Sequence, residues 1–334
     1  MSSATSGPPR RGSALLRKLT LAAGGTLAGI ALLELGLAAI GLWVGGDAAV
    51  PDPIDASTGE RVFTILCVGD SWTEGKADGR YPDLLVDRLN SRGAPVRFRQ
   101  VNKGRSGTNS SQALRRLPRE VRESRPDLLL VLTGNNDHHN LTDSTYWKFR
   151  DESLGPGSTL AARARITLHS LRTWRLLRTA RQAALGGPTP NEFFAVEPGQ
   201  PPPDRGALIA IDLPTHRRQL EYNLTRIVEL ARAERVPVVF QTYFHFHGYH
   251  VNEIVRETAW DLGVPLVDHN LAFHTRVAAA DRESYRIEDG HPNPAGYAMM
   301  ADRIVEVLDE NGLVPTQTHE TRRITSARPI PEPR

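Results

Sequence analysis

Residues 62–71 read Val62-Phe63-Thr64-Ile65-Leu66-Cys67-Val68-Gly69-Asp70-Ser71. A strand with one wet face alternates polar and apolar side chains, whereas this run is apolar almost throughout and closes on glycine. It therefore reads as a strand buried on both faces, the kind found in parallel sheets covered by helices. Similar runs follow at 96–101, 127–134, 236–242 and 264–268. Helical spacing of apolar residues fills the intervals at 81–91, 110–124, 215–234 and 250–261, with a last helix at 293–311. Alternating strand and helix predict an α/β three-layer sandwich on a mainly parallel sheet of about five strands. In such sheets ligands bind beyond the carboxyl ends of the strands, so chemistry is sought in the residues that follow each run.

Outside this pattern lie segments of different character. Residues 1–18 carry Arg10, Arg11, Arg17 and Lys18 and no acid, and read as a cytoplasmic basic head. Residues 19–46 are apolar or small apart from Thr20, Thr26 and Glu34. About 20 such residues span a hydrocarbon core, so this run predicts a transmembrane anchor with the rest of the chain outside the cytoplasm. A cleaved signal peptide ending near Gly46-Asp47-Ala48 is the alternative. Glu34 is costly inside a bilayer unless it is protonated or faces a partner helix; a singly tolerated acid is the other reading. Residues 47–61 read as a stalk, and 62–312 as the main domain with an insertion at about 141–212. The tail, 313–334, is rich in proline and arginine and reads as disordered.

Between 159 and 187 the insertion holds six arginines and no acid, with Leu160, Ala164, Leu168, Leu171 and Trp174 on one helical face. A helix packed on the domain and a helix on a membrane surface are both compatible with that pattern. The chain's formal charge of +3 thus averages basic appendages with an acidic body. That body carries no basic face and no nucleic-acid-binding module, so no nucleic-acid partner is expected. The single cysteine, Cys67, excludes internal disulfides and multi-cysteine metal sites.

Chemistry-bearing residues gather where the sheet rule directs. Ser71 follows the first strand. Asn102-Lys103-Gly104-Arg105-Ser106-Gly107 follows the second, where two glycines let backbone approach a ligand and Ser110 is a plausible helix cap. Gly134-Asn135-Asn136-Asp137 follows the third, and Glu288-Asp289-Gly290-His291-Pro292 precedes the last helix. A serine hydroxyl attacks poorly until a base takes its proton, and that base works best when a carboxylate orients it. Acyl transfer further needs donors aimed at the developing oxyanion. Ser71, His291, a carboxylate, Gly107 and Asn136 supply those parts. Trp72, His138, His245 and His247 are candidates for lining the substrate cleft. The spacing His245-x-His247-x-x-His250 also admits a metal site, but its interleaved aromatics favour a loop wall, and no metal or other cofactor is expected.

These blocks, in this order, resemble the SGNH/GDSL hydrolase family. Gly69-Asp70-Ser71 matches the nucleophile block, Gly107 the glycine block, Gly134-Asn135-Asn136-Asp137 the Gly-x-Asn-Asp block and His291-Pro292 the histidine block. The resemblance implies a flavodoxin-like sheet, Ser71 as nucleophile and His291 as general base. It also implies an oxyanion hole from the Ser71 and Gly107 N–H groups and the Asn136 amide. The family's usual spacing points to Glu288 as the acid, three residues before the histidine. Asp289, two before and one methylene shorter, suits the closer spacing and is the preferred choice. The expected activity is hydrolysis of an acyl ester of an envelope glycan or lipid through an acyl-enzyme. An O-acyltransferase of envelope polysaccharide and a non-catalytic glycan-binding domain are the alternatives.

Overall fold

Strand β1 (Val62–Gly69) lies between β2 (Arg97–Asn102) and β3 (Leu128–Leu132), and β4 (Val238–Gln241) and β5 (Leu266–Val267) continue the sheet beyond β3. The order is β2-β1-β3-β4-β5 and every pairing is parallel. This is the flavodoxin-like arrangement, whose crevice opens between β1 and β3, where the chain's direction of travel across the sheet reverses. All residues of β1 and β3 are buried, as their unbroken apolar runs require. The β3 and β4 strands are shorter than the apolar runs containing them. The computed structural model describes residues 11–44, 54, 59, 61–75, 79–138, 140–141, 143–152, 160, 171–184, 212–244 and 251–315.

The helices are α1 (Arg11–Val44), α2 (Ser71–Glu74), α3 (Tyr81–Asn90), α4 (Ser110–Ser124), α5 (Tyr146–Glu152), α6 (Arg172–Ala184), α7 (Leu213–Ala233), α8 (Val251–Leu262), α9 (His269–Arg276) and α10 (Pro294–Glu310). A 3₁₀ helix, Ala279–Tyr285, lies between α9 and α10. Helix α3 packs on α10, and α7 packs on α4 and α8. The short elements α2, α5, α9 and the 3₁₀ turn carry too few residues for a helical period to declare itself. The cap of α4 is Asn109, one residue before the expected Ser110: its side chain accepts from the Gln112 N–H while the Gln112 side chain accepts from the Asn109 N–H. Val314, expected in the tail, is buried in the core.

By contact the chain divides into two compact units, Met1–Ala48 with Thr167–Phe193, and Ala49–Ile166 with Phe194–Arg334. Part of the expected insertion therefore groups with the amino-terminal helix. Helix α1 contains an apolar window, Thr20–Leu37, long enough to cross a membrane by length and composition, a test that a signal sequence also passes. The helix begins at Arg11, so it takes in residues assigned from sequence to the basic head.

Within the first unit Glu34 has a specific partner. Its Oε2 accepts hydrogen bonds from the Thr173 N–H and Thr173 Oγ1, both at 2.9 Å, in the first turn of α6. The first four N–H groups of a helix have no partner inside it, and a carboxylate there satisfies them while meeting the positive end of the helix dipole. Glu34 thus faces a helix, α6, within its own unit. Replacing Glu34 by leucine should remove a cap worth about 0.5–2 kcal/mol. Limited trypsin digestion of the full-length protein in detergent should then cut after Arg175, Arg178 and Arg181 several-fold faster than in the wild type. Unchanged cleavage would show that the cap does not hold α6.

Candidate active site

The carboxyl end of β1 turns directly into α2. Gly69 sits so close to Thr73 and the Leu132 carbonyl that a Cβ would collide with both, so only glycine lets the strand turn here. Asp70 caps α2, its Oδ1 accepting from the Trp72 N–H at 3.0 Å. Ser71 is thereby the first residue of a helix at the sheet's carboxyl edge. The Ser71 Oγ lies 2.6 Å from His291 Nε2, and His291 Nδ1 lies 2.8 Å from Asp289 Oδ1. A carboxylate only accepts, so Nδ1 carries the ring proton and Nε2 is left to accept from the serine hydroxyl.

Asp289 reaches the ring because Gly290, between acid and base, takes φ +85°, a left-handed conformation that glycine adopts without strain. The chain folds back at this point: the Ile287 N–H donates to the His291 carbonyl at 2.9 Å and the Gly290 N–H to the Ile287 carbonyl at 2.9 Å. One oxygen of Asp289 consequently accepts both the His291 backbone N–H, at 3.0 Å, and its ring N–H. Glu288 is exposed on the same turn, and no hydrogen bond from it to His291 occurs.

Asn136 is buried, and its Nδ2 donates to the Thr108 carbonyl at 3.2 Å and to Asp70 Oδ2 at 3.4 Å. The Tyr243 hydroxyl donates to the same Asp70 oxygen at 2.6 Å and accepts from the Asn135 N–H at 3.4 Å. Asp70 thus joins the ends of β1, β3 and β4. Burial pushes its carboxyl up to about 6, against the pull of the Tyr243 hydroxyl and the Trp72 N–H. Gly107 has φ +69°, and its carbonyl accepts from Asn140 Nδ2 at 2.8 Å.

Not every expected residue reaches the site. Trp72, taken from sequence as a wall of the substrate cleft, is only 3% exposed and faces inward. It packs edge-on against Tyr243 and Phe244, with ring centroids 5.2 and 5.0 Å away, and lies 6.3 Å from the His291 ring. A side chain next to Ser71 on a helix points away from it, here into the core beneath the histidine. His138 is likewise buried. His245 and His247, with His250, lie outside the described residues. Conversely, Tyr243, Glu74 and Gln219 join the network around the site without any sequence signal, since their partners stand at least 32 positions away. The Cys67 thiol is buried in β1, and burial pushes its pKa up, leaving it an inert packing group.

Asp137 belongs to a second buried acid cluster. It accepts from the Ser110 N–H at 2.6 Å, the Ser110 hydroxyl at 2.5 Å and Gln219 Nε2 at 3.1 Å, so the residue expected to cap α4 serves here instead. Burial nevertheless pushes its carboxyl up to about 7. An aspartate in the unfolded chain titrates near about 3.9. Between those values the folded protein holds a proton that the unfolded chain lacks, so stability falls as pH rises from about 4 to about 7. Thermal unfolding followed from pH 5 to 7.5 should show this decline, and Asp137→Asn should flatten its upper part, from about pH 6 to 7, because the raised carboxyl of Asp70 adds its own decline below about 6. An unchanged slope in that variant would assign the decline elsewhere.

A serine, a histidine and a carboxylate joined by hydrogen bonds beyond the sheet's carboxyl edge are the arrangement serine hydrolases use. The chain belongs to the GDSL-like Lipase/Acylhydrolase family, whose pattern matches residues 67–299. Membership supports ester-hydrolase chemistry at the level of the family. Among solved structures, the chain is similar to the lipase/acylhydrolase from Enterococcus faecalis at 17% identity, covering 76% of this chain and 99% of that one with a TM-score of 0.45. It is similar to the Clostridium thermocellum family 3 carbohydrate esterase at 14% identity, covering 75% and 97% with a TM-score of 0.45. The psychrotrophic esterase EstA from Pseudoalteromonas sp. matches at 15% identity, covering 74% and 97% with a TM-score of 0.42. No curated protein matches the chain.

Proposed function

We propose that this protein is a membrane-anchored, extracytoplasmic serine ester hydrolase that works through an acyl-enzyme on Ser71. The observation that carries this reading is the hydrogen-bonded line from Ser71 Oγ through His291 to Asp289, with spacings of 2.6 and 2.8 Å. In the first half-reaction His291 Nε2 takes the hydroxyl proton as Ser71 Oγ bonds to the ester carbonyl carbon. The imidazolium is stabilised by Asp289 and returns its proton to the departing alcohol as the tetrahedral intermediate collapses. Water, deprotonated by the same nitrogen, then releases the acid and restores the serine.

Negative charge on the carbonyl oxygen is met by the N–H groups of Ser71 and Gly107 and by the Asn136 amide. The long 3.4 Å contact from Asn136 to Asp70 is the bond this amide gives up to the oxyanion, while the Thr108 carbonyl keeps the side chain aligned. Asp289 is the acid in this reading, because its oxygen already fixes both nitrogens of the histidine turn.

The anchor is α1, whose Leu21, Leu32, Leu33 and Leu35 side chains are exposed along the apolar window. Basic residues before the window favour a cytoplasmic amino end and a catalytic domain on the far side. An outward-facing site on an anchor favours acylated glycans or lipids of the cell envelope as substrates.

A fluorophosphonate probe should label the wild type on Ser71, and Ser71→Ala should abolish both labelling and hydrolysis of p-nitrophenyl acetate. A well-folded wild type that forms no adduct would remove the enzyme reading in favour of a binding domain. Asp289→Ala should lower kcat about 10²- to 10⁴-fold, in the range known for triad acids. Glu288→Ala should change it less than about threefold, since an exposed side chain with no bond to the base contributes little. The reverse order would make Glu288 the acid. Membrane fractions should retain the full-length chain through alkaline carbonate washing and lose a chain beginning at residue 49; release of the full-length chain would remove the anchor.

A further inference from the structure

We propose that Glu74 is a positioning residue for the oxyanion hole: it clamps the loop carrying Gly107 onto the helix carrying Ser71. The inference rests on the reading of Ser71 as the nucleophile and deepens it. Glu74 is the last residue of α2, three after Ser71. Its Oε2 accepts from the Ser106 N–H at 2.7 Å and also from the Ser106 hydroxyl. Ser106 immediately precedes Gly107, so the peptide plane that carries the Gly107 N–H is held from both sides. Glu74 fixes the N–H before it, and Asn140 fixes the Gly107 carbonyl after it.

The rest of the loop is fitted to the same helix end. Asn102 Nδ2 donates to the Thr73 carbonyl at 2.7 Å, and Asn102 Oδ1 accepts from the Gly104 N–H at 2.8 Å. Gly104 lies so close to the Glu74 backbone nitrogen that a Cβ would collide with it. The Lys103 and Arg105 N–H groups extend the loop along β1 through the Cys67 and Gly69 carbonyls, at 2.8 and 3.1 Å. The first part of the loop is therefore locked by backbone and glycine. Its last part, the Ser106–Gly107 turn with its left-handed glycine, is tied to α2 by the Glu74 carboxylate. Two donors from separate strand ends stabilise one oxygen only if their spacing is set in advance, and this carboxylate sets it.

The test is steady-state hydrolysis of p-nitrophenyl acetate by wild type, Glu74→Ala, Glu74→Gln and Ser106→Ala, with butylboronic acid as a tetrahedral-adduct probe. Loss of one oxyanion donor costs roughly 10²–10³-fold in kcat. A donor kept but released from its alignment should cost less, roughly 10-fold to 100-fold in kcat for Glu74→Ala, with KM within twofold of wild type. Butylboronic acid affinity should weaken in parallel with kcat/KM. Glu74→Gln, which still offers an oxygen to the Ser106 N–H, should recover a large part of the loss. A folded Glu74→Ala with kcat within twofold of wild type overturns the proposal. So does a loss that appears in KM alone, or one that Glu74→Gln does not relieve. If Glu74→Ala does not fold, Ser106→Ala decides, because it removes one bond of the two: a kcat loss of threefold or more at constant KM supports the clamp, and an unchanged kcat overturns it. A folded wild type without esterase activity removes both this inference and the catalytic reading, whereas an active wild type with an indifferent Glu74→Ala removes this inference alone.

Discussion

One buried carboxylate holds the centre of this molecule together. Asp70 is fully enclosed where β1, β3 and β4 end, and it serves three elements at once: it caps α2, takes the Tyr243 hydroxyl and touches the Asn136 amide. Burying an acid is costly unless it is surrounded by donors, and the donors here come from segments up to 173 positions away. The geometry of Ser71 is therefore not a local property of a turn. It depends on the strand ends being brought side by side by the sheet, so that Tyr243 and Asn136 meet the acid one residue before Ser71.

Much of this architecture is legible in the sequence because strands buried on both faces write themselves as apolar runs. The first strand and α4 coincide with their patterns, and the remaining strands fall within or one residue from theirs, but β2, at the sheet edge and reading Arg-Phe-Arg-Gln-Val-Asn, buries only Phe98 fully and is not the doubly buried run expected there. The residues after those runs are also legible, since the sheet itself says where to look; Ser71 and Asn136 lie there, whereas His291 follows no strand and stands out only by the acids two and three residues before it. That Asp289 rather than Glu288 bonds the His291 ring follows from a chain reversal at Gly290, which the spacing alone does not reveal.

What is not legible is the set of partners that meet across strand ends. Tyr243 follows β4 in a run that reads as a loop, and nothing in its neighbours announces Asp70. Trp72 was misread for a related reason: adjacency to the nucleophile in sequence suggests adjacency to substrate, whereas one helical step of about 100° turns the indole into the core. Likewise Ser110 has the chemistry of a cap but lies one place too late, and its hydroxyl and amide go to Asp137. Polar side chains with two suitable roles are assigned by three-dimensional neighbours, which periodicity does not encode. Glu34 is similar: an acid in an apolar helix stands out, but whether it is protonated, partnered or merely tolerated is not readable from the sequence, and neither is Thr173 as its partner.

The reversal at Gly290 also decides how many pieces of chain the site is built from. Asp289 and His291 sit on one short turn, two residues apart, and are held by that turn's own hydrogen bonds. Ser71, His291 and Asp289 thus come together from two pieces of chain rather than three: a strand-end elbow that carries the serine and one short hairpin that carries both the aspartate and the histidine.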